Sequence, residues 1–429
     1  MELGPRGVRS EKSMSRILVL GNAPLPFEEA PANFAPGRRT WQFALPLRKD
    51  GHSVRIAALR TPFIYPDGTP DVVRFEHEGV EIFNIEEHAF LQDDLLQELC
   101  REFRPDALVG ANIYGAVAAA RLPFDLPRWV DVNGHTMAEA QAKAALDRSD
   151  EVLPYFWGMV REALQQADRV SVASRFQRYA VIGELGALGR LNHRTAGLEL
   201  VELVPIALDP RELTRPAQPL LRGARVPQDA FVVQWSGGYN VWADTDTLLE
   251  ALEAAMDRDP KIWFVSTGGE IRGHDQTTYR DFAERARGSR HAARFLLEGW
   301  QPRSRAEAYP FEADVGIVLD RFLYEGLLGC KNRVLEWMRY GLPAICSDLG
   351  EAAAMVREAE SGWVVPLADP NAIADLLVTL AGDRAQVRQR GAAARAYGSQ
   401  RCDYRSTTAA LQRWAAAPHF APDHLPESA

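Results

Sequence analysis

Two cations and two carboxylates crowd into one stretch of the chain, residues 325–351: Glu325, Lys331, Arg333 and Glu336. The stretch reads as a loop punctuated by Gly326 and Gly329, a helix, a Gly341-Leu342-Pro343 break, a short apolar strand and an acidic turn. Lys331 and Arg333 fall at the expected helix start, where free backbone N–H groups also favour anions. Arginine grips phosphate through a planar two-pronged contact, while lysine supplies a point charge. Glu336 follows in the first turns, and Glu325 precedes them on a loop. Carboxylates in those places accept hydrogen bonds from hydroxyl groups. A diphosphate joined to a sugar fits that combination. The plainer alternative is a solvated helix start, with Lys331 and Arg333 pairing with Glu325 or Glu336.

Such residues work only where the fold holds them together. Short apolar runs alternate with helical stretches in two series. The first series contains Arg16–Asn22, Val54–Ile56, Val80–Asn84, Pro105–Gly110, Trp129–Gly134 and Ala167–Ser174, with helices expected over 41–49 and 95–103. The second contains Phe231–Asn240, Ile262–Gly269, Ala293–Trp300, Ala313–Asp320 and Gly362–Pro366. This alternation predicts an α/β protein of two Rossmann-like parallel sheets facing a cleft. Ligands collect at the carboxyl ends of such strands. Gly237 and Gly238 end one strand and let a backbone pass close to a ligand.

His135 ends another strand, with Asn133 and Glu139 as neighbours. Two readings of His135 stay open, a contact to sugar or acceptor and a helix-capping turn at Thr136. His52, in a helix-to-strand turn, reads as structural. Asp244-Thr245-Asp246 has the spacing of a metal-holding pair, but two oxygens are too few for a site. Asp246 or Thr245 is expected instead to cap a helix over 247–256, and no metal is expected.

Composition narrows the function classes. A length of 429 residues favours two domains. The net charge of −9 argues against broad nucleic-acid binding. Cys100, Cys330, Cys346 and Cys402 form no C-x-x-C pair, which suggests reduced thiols and a cytoplasmic setting. No apolar run is long enough to span a membrane. Residues 1–14 read as a disordered leader without the apolar centre of a secretory signal. The Pro-, Arg- and Gly-rich segment after Asp209 reads as a linker. The expected division is therefore 15–209, 210–395, and a crossover helix with tail over 396–429, frayed beyond Pro418. The long loop over 23–39 is expected to line or cover a site.

The stretch that opens this section resembles the sugar-nucleotide site of GT-B glycosyltransferases, more narrowly the retaining family 4 enzymes. There a glutamate precedes A-x-G-x-P-V-[IV], and Glu336 before Tyr340-Gly341-Leu342-Pro343-Ala344-Ile345 matches it. The family's first glutamate, eight positions earlier, is here Leu328. A bacterial variant, E-x5-R-x-R-x-x-[DE]-[YW], fits Glu325, Lys331, Arg333, Glu336 and Trp337 instead, with Lys331 in place of the first Arg. Leu203–Asp209 resembles the family's crossing between domains, and Ala293–Trp300 its segment beside the nucleotide base, which adds Trp300 to the site. The positions where the family commonly carries an Arg and a Lys for the diphosphate are Gly238 and Ala243.

The resemblance implies a retaining transferase that needs no cofactor and takes a nucleoside diphosphate sugar, of UDP or GDP type, as donor. It implies a glycan, lipid-linked or small-molecule acceptor, and leaves peripheral contact with a membrane open. Lys331, Arg333 and the Gly237 and Gly238 amides would hold the diphosphate. Glu336 would meet the ribose, and Glu325 and His135 the sugar. A catalytically silent GT-B partner and a sugar-nucleotide 2-epimerase are the alternatives. A Rossmann dehydrogenase lacks its G-x-G-x-x-G after the first strand.

Overall fold

The computed structural model describes residues 14–28, 30 and 35–426. The leader expected at residues 1–14 therefore lies, apart from Met14, outside the described residues. Strands β1 (Arg16–Ala23), β2 (Ser53–Arg60), β3 (Val72–His77), β4 (Val80–Ile85), β5 (Ala107–Gly110), β6 (Arg128–Asp131), β7 (Arg169–Val172) and β8 (Val201–Leu203) form one sheet. Its order is β3-β4-β2-β1-β5-β6-β7-β8. The second sheet holds β9 (Phe231–Ser236), β10 (Ile262–Thr267), β11 (Phe295–Gly299), β12 (Val315–Val318), β13 (Ala344–Ser347) and β14 (Gly362–Val365), in the order β11-β10-β9-β12-β13-β14. Every neighbouring pair is parallel except β3 with β4. This is the expected pair of Rossmann-like domains.

Strands covered on both faces must be apolar throughout, which is why they read as continuous runs. Val19, Val109, Phe231, Val233 and Ile317 are all fully buried. The edge strand β3 went unread. It alternates rather than runs, and it pairs with β4 through Glu78-Gly79, both at positive φ (47° and 74°). Two consecutive positive-φ residues match the right-handed twist of a two-residue hairpin.

Several local expectations need correction. The loop after β1 is shorter than expected, because the helix Ala35–Lys49 begins within it. Pro36 sits in the first turn, where the N–H it lacks has no helical partner in any case. The crossover helix expected within 396–429 is not one element: the chain there runs through the end of Arg384–Arg401, then Tyr404–Thr407 and Ala409–Ala415. At the break the Cys402 carbonyl accepts from Leu208 N–H (2.7 Å), and the chain returns to the first domain. There Trp414 meets Trp129 with centroids 5.6 Å apart, and Ser15 Oγ donates to the Ala415 carbonyl (2.8 Å). Beyond Pro418 the described residues, up to 426, are anchored, not frayed. Asp168 accepts from Ala421 N–H, and Arg190 grips Asp423 with both prongs. No helix among the described residues is long and apolar enough to cross a membrane.

Candidate active site

In each sheet the strand order reverses once, between β1 and β5 and between β9 and β12. Loops diverge there and leave a crevice at the carboxyl ends. In the second sheet that crevice lies between Gly237-Gly238 after β9 and the chain from Asp320 through Lys331 after β12. The carboxyl ends of the two sheets meet. The helix Thr136–Asp147, after β6, packs against Tyr324–Leu328, after β12. Ser174 Oγ donates to the Leu328 carbonyl, and Arg175 pairs with Glu351 at 2.9 Å.

Glycines end both central strands, Gly237 and Gly238 after β9 and Gly268 after β10, and Gly237 is required by its φ of +83° rather than by crowding. A Cβ on Gly268 would lie 2.0 Å from the Gly237 carbonyl oxygen, at a φ of +146° that other residues avoid. A Cβ on Gly238 would strike the Ile271 side chain at 2.5 Å and only touch Trp300, at 3.5 Å. Trp300 is held beside them by its Nε1–H, which donates to the Glu270 carbonyl (2.8 Å). The Gly237 amide, expected to face a diphosphate, instead donates to the Thr267 carbonyl at 2.7 Å. It ties two site loops together and is not free for a ligand.

Lys331 and Arg333 do lie at a helix start, since Lys331 is the N-cap of Asn332–Tyr340. Their environments differ sharply. Lys331 Nζ is 2.7 Å from Glu325 and 3.2 Å from Asp320, all three side chains nearly buried. Burial pulls the Lys331 pKa down, but Asp320 and Glu325 overcome it and leave it above its ordinary value. Burial holds the Glu325 carboxyl above its usual range, against the pull of Lys331. Glu325 sits on the short helix Tyr324–Leu328, not on a loop as expected. The plainer pairing of Lys331 with Glu325 is thus present, and two carboxylates balance its charge.

Arg333 stacks on Trp235 (4.4 Å to the ring centroid) and donates from Nη2 to the Gly238 carbonyl (2.7 Å). Its Nη1 is buried without a hydrogen-bond partner among the described residues. Burial lowers its pKa to about 10. A buried, unpartnered guanidinium nitrogen is costly, and an incoming anion removes that cost.

From the first domain, His135 is the N-cap of Thr136–Asp147, one residue earlier than the turn expected at Thr136. Its Nδ1 accepts from Ala138 N–H (3.2 Å), and its Nε2 lies 3.3 Å from Glu184. One helical turn on, Glu139 folds its carboxyl over Gly134. Burial and then the neighbouring Glu325 charge raise its pKa to about 8, against the pull of Lys331. Glu139, Glu325 and Lys331 therefore form one electrostatic group spanning both domains.

Glu336 is held by two arginines, Arg38 at 2.8 Å and Arg339 at 2.9 Å. Asp244, rather than Asp246 or Thr245, caps its helix (Thr245–Arg258), accepting from Thr247 N–H at 3.1 Å. Asp246 pairs with Arg285 and Arg321. Among the described residues no three metal-ligating side chains converge.

Sequence reasoning named Glu139 only as a neighbour of His135 and passed over Asp320 and Arg38. Asp320 follows a strand at its carboxyl end, so the crevice rule alone would have flagged it. Arg38 lay in the loop over 23–39 expected to line or cover a site, but nothing local singled it out, and its role becomes visible only through its partner on the other domain.

Two facing Rossmann-like domains with a crevice at their switch points define the GT-B architecture. Residues 35–194 match the family described as glycosyl transferase 4-like domain, and residues 230–383 the one described as glycosyl transferases group 1. Together the matches take in well over half of the chain, which belongs to the glycosyltransferases of the GT-B fold. Solved structures agree in fold. A sucrose-phosphate synthase from Thermosynechococcus elongatus has a TM-score of 0.68 at 17% identity, covering 93% of this chain and 98% of its own. Anabaena HepE in complex with UDP-glucose gives 0.65 at 16% identity, with 93% and 98% covered. A trehalose-6-phosphate synthase, OtsA, gives 0.66 at 14% identity, with 96% and 100% covered. No curated protein is significantly similar to the chain in sequence.

Proposed function

We propose that this protein transfers a sugar from a nucleoside diphosphate sugar to an acceptor hydroxyl, with retention at the anomeric carbon and without a metal or other cofactor. The observation that carries the reading is the unpartnered Nη1 of Arg333, a buried cationic donor at the switch point beside Gly238. As the bond between anomeric carbon and phosphate oxygen breaks, negative charge builds on the diphosphate. A donor fixed in advance in a dry site stabilises that charge without reorganising. Lys331 contributes a weaker field, since Glu325 and Asp320 already balance it. Glu325 and His135 face the sugar, Glu336 the ribose and Trp300 the base. The acceptor proton passes to the leaving phosphate oxygen. The acceptor is a glycan, a lipid-linked sugar or a small molecule, and the reaction takes place in the cytoplasm.

Two structural relatives support the finer points, each speaking for itself. HepE is described with UDP-glucose, and the trehalose-6-phosphate synthase in a study of glycosyl transfer with retention. A second reading, a catalytically silent GT-B partner, is favoured by the neutralised Lys331 and by Gly238 and Ala243 standing where the family carries cations. One experiment separates the readings. The protein is incubated with UDP- and GDP-sugars, and free sugar and nucleoside diphosphate are measured. Slow donor hydrolysis by wild type, lost in Arg333→Ala, supports the transferase. Nucleotide binding without any release, with or without added acceptors, supports the silent partner. A changed sugar on an intact nucleotide would indicate an epimerase.

A further inference from the structure

Glu336 is expected to serve the ribose, yet its carboxylate is already shared between two arginines of different origin. Arg339 lies on the same helix, three residues on, and holds Glu336 wherever the second domain goes. Arg38 belongs to the first domain, on the helix Ala35–Lys49. Its neighbour Arg39 fixes that helix: it grips Asp131, at the end of β6, with two contacts (2.7 and 3.1 Å) and donates to the Pro205 carbonyl (3.2 Å). The Arg39 and Asp131 side chains are both essentially fully buried. Arg38 is thus positioned by the core of the first domain, and Glu336 feels it only when the domains stand as they do here. A carboxylate offers about four acceptor positions, and the two arginines use two. The Glu336 side chain keeps 20% of its surface exposed, so the remaining positions can be reached.

We infer that Arg38 is a positioning residue for nucleotide recognition: it reaches across from the first domain and aims the Glu336 carboxylate at the ribose hydroxyls. The inference rests on the donor reading above. Its consequence is that ribose affinity depends on the relation between the domains. In an open arrangement Glu336 keeps only Arg339 and is free to swing. In the closed one, two guanidinium groups clamp it and its remaining lone pairs have fixed directions. Nucleotide binding and domain closure then favour each other, because each strengthens the same contact. Arg333 lies three residues before Glu336 on the same helix, so the clamp also steadies the diphosphate end.

The test is calorimetry with whichever of UDP, GDP and ADP binds wild type most tightly, alongside the 2′,3′-dideoxy form of the same nucleotide. The proteins are wild type, Arg38→Ala, Arg38→Lys, Glu336→Gln and the Arg38→Ala/Glu336→Gln double variant. Arg38→Ala should weaken the normal nucleotide about tenfold, as for loss of one aimed charged contact. It should leave the dideoxy form unchanged, because that ligand has nothing for Glu336 to hold. Arg38→Lys should recover part of the loss. The double variant should bind no worse than Glu336→Gln alone, since both act through one contact. Equal weakening of both ligands, additive losses, or no loss in Arg38→Ala would each overturn the inference. Failure of the donor reading looks different: wild type itself would bind none of the three nucleotides, which removes the ground for both.

Discussion

Replacing Glu139 with glutamine should make the protein more stable at high pH. Glu139 sits where the two domains touch, beside Glu325 and Lys331, and its pKa is raised to about 8 by burial first and the Glu325 charge second. Between the unfolded value of 4.5 and about 8, the native protein holds a proton that the unfolded chain has released. Native stability therefore falls as pH rises through that window. At about 1.36 kcal/mol per unit, the interval from 4.5 to about 8 sets a ceiling of roughly 5 kcal/mol. Water entering a relaxing cleft lowers this, so a change of about 2 kcal/mol is the expectation. Glutamine has the shape of the neutral acid and does not titrate.

Near pH ~5, where wild type is protonated, the two proteins should be about equally stable. By pH ~9 the glutamine variant should be ahead by about 2 kcal/mol. Urea unfolding of both proteins across this range, followed by circular dichroism, measures the difference, in which titrating groups outside the Glu139, Glu325 and Lys331 group cancel. Parallel curves at every pH would refute the reasoning, because they would mean that Glu139 titrates alike in the folded and unfolded chains.

Three further outcomes follow from particular contacts. Arg333→Ala should weaken nucleoside diphosphate binding by about 2 kcal/mol or more; unchanged affinity in calorimetry would remove Arg333 from the site. Asp244→Ala should cost about 1 kcal/mol of stability through the lost cap and leave turnover insensitive to EDTA, whereas activity restored only by Mn²⁺ or Mg²⁺ would contradict the capping role. Gly268→Ala should cost at least about 2 kcal/mol, because its Cβ meets the Gly237 carbonyl at a forbidden φ; a denaturation midpoint equal to wild type would show that the loop can shift freely.

The fold was legible in the chain because its determinants are local. Strands buried on both faces must be apolar, as in Ile17–Leu20 and Phe231–Val233, and their alternation with helices forces parallel pairing. The hairpin edge β3 escaped because half-buried strands alternate and give a weaker signal. The motif from Glu325 to Glu336 was legible for the same reason, since helix start, charge order and the Gly341-Pro343 break all lie within one stretch. What that stretch could not disclose was how its charges are spent. Lys331 and Arg333 are both cations, two residues apart at one helix start. Only packing put Asp320 and Glu325 against one and left the other, stacked on Trp235, with a buried nitrogen that has no partner among the described residues.

The Gly237 amide, available by its place after a strand, was consumed by Thr267 from a neighbouring strand. The tail beyond Pro418 looked unanchored because Asp168 and Arg190, which hold it, lie more than two hundred residues away. Arg38 shows the limit most clearly. Its partner lies 298 residues along the chain and in the other domain. Sequence alone determined which residues were charged, and in what local order they stood. Which charge meets which depends on how two domains close upon each other, and that was decided in three dimensions.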